Sequence, residues 1–396
     1  MKKYSLIILF AGIFIAVFVG WYFFFPSFLK IVRKPEKVQN LFETKGKNFD
    51  LEYSVKYYDT TKVDIQKGID SIFKSVYASV SLTDSNSKLS KFNRGDSCEF
   101  IDGVFLDMFL LSDDVYDCTN SAFDPTVYTV AKEWGFGPEG TAKINSLYPN
   151  ITNAAIRDSL IMNYVDSASS EMEGHMGYSK VRIGGDVLYN SFEEAADKDM
   201  QDNFACKDDK DLQLDFSALT NGYIADEIYS YLLFKRKMKN FLVNVGGEVI
   251  SAGNRPDGSP WTVEVNNPQK KMAARLGFKL SGDYTALSVC ENHSKSRKIG
   301  NEIIGGVFDP RKRLPVDNEM VAVVILGEQC RKADAYATAF MVMGLDESID
   351  FIETNPFESF EAYLVYKDDK GQLKTYASPG LTEILVGADT TNAVAK

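Results

Sequence analysis

The stretch ADAYATAFMVMG, Ala333 to Gly344, is apolar nearly all round, yet it carries Asp334 and Thr338. Its pattern predicts a buried helix over 334–344. A buried helix rarely holds an unpaired carboxylate. The spacing of four puts the two polar side chains on one helix face. From spacing alone, two accounts stand: Asp334 caps or pairs within the core, or both oxygens face a ligand. The run just before it, MVAVVILG (Met320 to Gly327), is apolar throughout and reads as a strand buried on both faces.

Outward from this pair, strands and helices keep alternating. LEYSVKYY (Leu51 to Tyr58) alternates and predicts a strand; Val63 to Ser79 predicts an amphipathic helix, and Val104 to Cys118 a second one. Between them TDSNSKLSKFNR (Thr83 to Arg94) reads as a polar loop. LQLDF (Leu212 to Phe216) predicts a strand, Ala218 to Arg236 a helix, FLVNVGGEVISAG (Phe241 to Gly253) a buried strand ending in a glycine turn, and WTVEV another strand. The segment 145–211 is weakly patterned. It holds one plausible strand, YSKVRI, and a charged stretch, FEEAADKDMQDNFACKDDKD, read as a solvated surface insertion. Paired strands with helices between them predict an α+β fold of mixed sheets with packed helices.

Four stretches besides the Asp334 helix have the composition of a site. SAFDPTVYTVAKEWGFG (Ser121 to Gly137) combines an Asp-Pro turn with aromatics and glycines. LDFSALTNGYIADE (Leu214 to Glu227) turns from extended chain into helix. VNVGGEVISAGNRPDGSPW (Val243 to Trp261) contains Gly246 and Gly247, which allow close backbone approach. GVFDPRKRLPV (Gly306 to Val316) precedes the buried strand. Singly, each is an ordinary turn or bend.

Together and in this order, they resemble the ApbE family of flavin transferases, the FAD:protein FMN transferases. That family shows GAFDPTVGPLVxxWGFG, DxSAIAKGYAVD, LVNIGGEVxxxGxxPDGxPW, HIIDPxTGxPV and ADALATALFVLG, and SKLSKFN here resembles its SELSRFN. The likeness runs from about Leu51 to beyond Gly344. It implies an ApbE-like domain over 49–385, with a divergent insertion at about 145–211 and a tail over 386–396. It also implies Mg²⁺ bound by Asp334, Thr338 and the Ala218 carbonyl. FAD would lie against Ala122, Phe123, Asp124, Asp215, Asn221, Gly246 and Gly247. The implied reaction moves FMN from FAD onto a Ser or Thr hydroxyl of an acceptor flavoprotein and releases AMP, with Asp334 as the catalytic residue.

Several positions depart from the family pattern. Its His before the second Asp-Pro is Gly306, the Lys or Glu of its AKGY turn is Asn221, and a loop Tyr is Thr83. Its SGD is Cys290, Glu291 and Asn292, and its early M-G-T turn is Phe49, Asp50 and Leu51. Loss of the His removes a group that titrates near neutral pH; His293 lies close in sequence. Three outcomes remain open: a transferase with a variant pocket, a flavin- or partner-binding module without transfer, and an FAD pyrophosphatase.

Chain-level features set the context. A net charge of −11 argues against a nucleic-acid partner. The apolar run from about Leu6 to Phe25 is long enough to span a bilayer, so 1–28 is expected to be an uncleaved membrane anchor and 29–48 a charged linker. Lys30, Arg33, Lys34 and Lys37 follow the span and would hold the domain inside by charge. The resemblance implies the outer side of a bacterial cytoplasmic membrane. Five scattered cysteines without a C-x-x-C pair suggest neither a disulfide framework nor a zinc site, and two histidines exclude a histidine-rich metal site.

Overall fold

The computed structural model describes residues 39–386, apart from 139, 185–202, 267–274, 284, 293–294 and 356–358. The expected anchor, the first half of the expected linker, His293 and residues 387–396 lie outside the described residues. Among the described residues, no helix is long and apolar enough to cross a membrane. The chain divides into two compact units. The larger comprises Phe42–Tyr58 and Val63–Lys396. The described residues of the smaller, 39–41 and 59–62, form strand ends and a bend.

Eight strands build the central sheet: β1 (Asn40–Asn48), β2 (Leu51–Asp59), β3 (Phe241–Val245), β4 (Glu248–Ala252), β5 (Ala286–Glu291), β6 (Met320–Gly327), β7 (Phe360–Lys367) and β8 (Leu373–Ala377). Their order across the sheet is their order along the chain. Every pairing from β2 to β8 is antiparallel. The charged stretch expected to be linker is therefore strand from Asn40 onward. FLVNVGGEVISAG, expected as one strand, is the hairpin β3–β4. Gly246 and Gly247 turn it with φ of 62° and 107°, which L side chains rarely adopt.

The two faces of β6 explain its unbroken apolar run. Val323 and Ile325 enter a core shared with the helices. Ala322, Val324 and Leu326 enter a second core, formed with a three-stranded sheet of Trp261–Asn266, Arg275–Leu280 and Leu385–Val386. A strand apolar on both faces has no polar period to show.

The longer helices are α1 (Gln66–Val80), α2 (Lys88–Arg94), α3 (Gly103–Cys118), α4 (Ala154–Met172), α5 (Ser217–Ser230), α6 (Cys330–Met343) and α7 (Leu345–Thr354). The loop reading of SKLSKFN is corrected by α2, which Ser87 caps by accepting from Ser90 N at 3.0 Å. Its polar Ser90 and Asn93 are themselves buried, so polarity hid the helix. The strand reading of Leu212–Phe216 is also corrected. This segment joins no strand ladder, and its backbone bonds to a side chain instead: Asn93 Nδ2 donates to Leu214 O and Leu214 N to Asn93 Oδ1, both at 2.8 Å.

The insertion is more ordered than its sequence suggested. It contains α4 and strands Val181–Gly184 and Phe204–Lys207, which pair with each other and with Cys98–Phe100. Cys98 faces Cys206 across that ladder and the two form a disulfide, Cα to Cα 4.0 Å. The scattered cysteines, read as no disulfide framework, thus include one bridged pair. The flanking hydrogen bonds, Lys207 N to Ser97 O and Ile101 N to Asn203 O, make Cys98–Cys206 a non-hydrogen-bonded pair, where opposed side chains come closest. The charged stretch expected to be solvated ends in Asp209 and Asp211, which face His175; Nδ1 lies 2.7 Å from Asp209 Oδ2.

Candidate functional site

Helix α6 is buried from Ala335 to Ala337 and from Ala339 to Val342. Asp334 and Thr338 are the partly accessible positions between those buried runs, so the slot they share opens along one stripe of the helix. The helix lies against α5, β5 and β6. Gly222 on α5 permits the close approach: a Cβ there would stand 2.7 Å from Cys330 O and 2.8 Å from Arg331 Cα. A second tie is the Asp226 carboxylate, which accepts from Cys330 N at 2.9 Å, Arg331 N at 3.0 Å and Arg331 Nε at 2.9 Å.

Among the described residues, Asp334 has only long hydrogen bonds. Gly222 N donates to Oδ2 at 3.4 Å and Ser288 Oγ to Oδ1 at 3.5 Å. Burial pushes its carboxyl up to about 7. Behind it, Glu248 on β4 is 5% exposed, and its Oε2 has no hydrogen-bond partner among the described residues. Burial, then the neighbouring Asp334 charge, drives Glu248 well above the carboxylate range. Thr338 hydrogen-bonds with Cys290, whose thiol is pushed up to about 12, first by burial and then by Asp334. Ala218 lies one helical turn before Gly222 on α5 and so on the same face, toward Asp334. Asp334, Thr338 and the Ala218 carbonyl offer oxygens only, the donor set of a hard divalent cation such as Mg²⁺. Two carboxyls with weak or missing partners are the environment a cation satisfies.

The other stretches converge on the same region. Asp215 N donates to Pro125 O at 3.1 Å, which fastens the segment before α5 to the Asp-Pro turn. The Asp215 carboxylate caps Ser217, 2.6 Å from its N and 3.0 Å from its Oγ. Burial raises Asp215, while Lys295 pulls it back. The turn of Gly246 rests on Asn221, whose Nδ2 would be 2.9 Å from a Cβ at 246, whereas a Cβ on Gly247 would meet nothing. Phe136 of the WGFG stretch packs edge-on against Phe308 of the second Asp-Pro stretch, ring centroids 5.3 Å apart.

Ala122 and Phe123, expected to contact FAD, are turned into the main core at 1% and 3% exposure. Asp124 is buried too, with Oδ1 accepting from Thr126 N at 2.7 Å, and burial pushes it up to about 6. Gly306 leaves no room for a larger residue: a Cβ there would be 2.6 Å from Lys295 O, 3.0 Å from Lys295 Cβ and 3.1 Å from Phe136. Glu248, Ser288 and Lys295 were not singled out by sequence reasoning. Glu248 had a signal, a carboxylate opening the apolar run EVISA; Lys295 had none.

A model of the ApbE family matches residues 49–364. The FAD:protein FMN transferase of Vibrio cholerae serotype O1 is 24% identical over 356 residues, 88% of this chain and 94% of that protein. The FAD:protein FMN transferase of Haemophilus influenzae is 23% identical, covering 85% and 89%. Among solved structures, the flavin transferase ApbE from Vibrio cholerae superimposes with a TM-score of 0.69 at 22% identity, covering 87% of this chain and 99% of that one. The apo flavinyl transferase ApbE of Pseudomonas stutzeri superimposes at 0.68 and 21%, covering 89% and 98%.

Proposed function

Because the chain belongs to the ApbE family, we propose that it is an FAD:protein FMN transferase that moves FMN from FAD to a Ser or Thr hydroxyl of an acceptor flavoprotein. The observation that carries this reading is the open stripe of Asp334 and Thr338 on an otherwise buried helix, backed by Glu248 and reached by the turn of Ala218. In the reaction the acceptor hydroxyl oxygen bonds to the flavin-side phosphorus of FAD. The bond from that phosphorus to the AMP phosphate breaks, and AMP leaves with the electron pair. The hydroxyl proton passes to the Asp334 carboxylate oxygen that faces the acceptor.

Asp334, Thr338 and the Ala218 carbonyl would hold Mg²⁺. When bound, that ion neutralises charge at the diphosphate. The remaining work is positioning, as in phosphoryl transfer generally. The open space over Gly247 admits FAD close to the backbone. Asp215, fixed by Ser217 and Pro125, faces the dinucleotide as a hydrogen-bond acceptor. Asp124 and Asn221 line its approach.

The apolar run Leu6 to Phe25 anchors the chain, and the domain works on the outer side of a bacterial cytoplasmic membrane. The Cys98–Cys206 disulfide supports this side, because disulfides persist in oxidising compartments. The test is to incubate the full chain in detergent with FAD and Mg²⁺, with and without an acceptor domain, and count AMP and FMN. Transfer requires AMP to appear only with acceptor, one per covalent flavin. Acceptor-independent AMP with free FMN would make the protein a pyrophosphatase. Intact FAD throughout would make it a binding module.

A further inference from the structure

We propose that Lys207 is a positioning residue for the dinucleotide site: its ammonium, bonded to three backbone carbonyls, fixes the segment that presents Asp215. The role rests on the transferase reading above, in which Asp215 faces FAD. Lys207 ends the strand Phe204–Lys207, beside the bridged Cys206, and its backbone N donates to Ser97 O at 3.0 Å. It is 4% exposed, and Nζ lies 5.3 Å from the centroid of the Phe92 ring. Nζ donates to Leu212 O at 2.8 Å, Lys210 O at 3.0 Å and Asn93 O at 3.1 Å. An ammonium has three N–H donors, and here all three bond to backbone.

The segment needs these bonds because no ladder supplies them. Residues 208–216 belong to no sheet, yet buried carbonyls must find donors. Side chains provide them one after another. Lys207 takes Lys210 O and Leu212 O, Thr129 Oγ1 takes Gln213 O at 3.3 Å, and Asn93 Nδ2 takes Leu214 O at 2.8 Å. Asp215 is the next residue. Lys207 therefore grips the segment directly at Leu212 and also holds the backbone of Asn93, whose side chain grips Leu214. Loss of the ammonium loosens both supports at once. Burial pushes that ammonium down to about 8, against the pull of Asp209, Asp211 and Asp96 and with the repulsion of Lys132. Asp208, in the same turn, is paired with Arg182. The grip on the segment accordingly weakens just above neutral pH.

The test is FAD binding to the full-length protein, followed by flavin fluorescence at pH 7 and pH 9. The temperature is set where melting curves show each protein fully folded. Lys207→Met keeps the aliphatic stem and removes the donors. It is expected to bind FAD about tenfold more weakly at pH 7, the worth of about one hydrogen bond. Wild-type affinity should fall severalfold from pH 7 to pH 9, while that of Lys207→Met stays within about twofold. Lys207→Arg, charged at both pH values, should recover most of the affinity and lose the pH dependence. A lysine that only stabilised the fold would lower the melting temperature and leave the affinity of the folded protein unchanged. Equal FAD binding by wild type and folded Lys207→Met overturns the proposal, as does wild-type affinity that is the same at both pH values. If Lys207→Met does not fold, the wild-type comparison between pH 7 and pH 9 decides alone. If the wild type binds FAD but transfers nothing to an acceptor, the transferase reading fails, while the titrations still decide the role of Lys207.

Discussion

Asp124→Asn should make the folded protein more stable at neutral pH and less able to bind FAD. Asp124 is 7% exposed and its Oδ1 accepts from Thr126 N at 2.7 Å. Burial raises its carboxyl from 3.8 to about 6. Below 3.8 both folded and unfolded chains hold the proton, and the group costs nothing. As pH rises through about 6, the folded state must surrender the proton or bury the charge, so stability is lost. At about 1.4 kcal/mol per tenfold step in proton affinity, the full loss is about 3 kcal/mol. About a third of that is already gone at pH 4.5. Asparagine keeps the acceptor for Thr126 N and removes the charge. Urea denaturation of both proteins without FAD should give the variant an advantage of about 1–3 kcal/mol at pH 8, widening by about 2 kcal/mol from pH 4.5 to pH 8. A variant less stable than wild type at pH 8, or a gap that does not change with pH, would refute the reasoning. Proteins keep such a costly charge at functional positions, so FAD affinity should fall in the same variant.

Other substitutions test the packing. Gly222→Ala should cost about 2–3 kcal/mol in denaturant melts, because its Cβ meets the Cys330 and Arg331 backbone and cannot be relieved by one rotamer; an unchanged melt would mean that α5 and α6 can part freely. Replacing both Cys98 and Cys206 by serine should cost about 2–4 kcal/mol, since the bridge closes a long loop. Reductant should destabilise the wild type to the same level and leave the serine variant unaffected. Gly306→His should lower stability by about 1–3 kcal/mol and give no faster transfer, because Lys295 already fills that space; faster transfer would show that the pocket reopens.

The sequence was most legible where burial was one-sided in its demands. MVAVVILG is apolar on both faces because each face of β6 meets its own core. The spacing of Asp334 and Thr338 was readable because the other residues from Ala333 to Gly344 are apolar or aromatic. Legibility failed where polar side chains do the structural work. Asn93 satisfies the backbone at Leu214, so an alternating segment never joins a sheet. Ser87 caps a helix that looked like a loop. Cys98 and Cys206 are 108 residues apart, and the ladder that joins them lies in the segment with the weakest pattern. The pairing of the Asp334 and Glu248 carboxyls could not be seen either, because β4 and α6 are distant in sequence and meet only in the fold.

The most direct measurement of the central claim is covalent flavin fluorescence on an acceptor domain in a denaturing gel. The full-length protein is incubated with FAD and Mg²⁺, as wild type and as Asp334→Ala. The expected result is a fluorescent acceptor band with wild type that falls by about a hundredfold or more in Asp334→Ala and disappears when Mg²⁺ is chelated. A band of equal strength in the variant would contradict the assignment of Asp334. No band with the wild type, although FAD is bound and intact, would contradict the transferase itself.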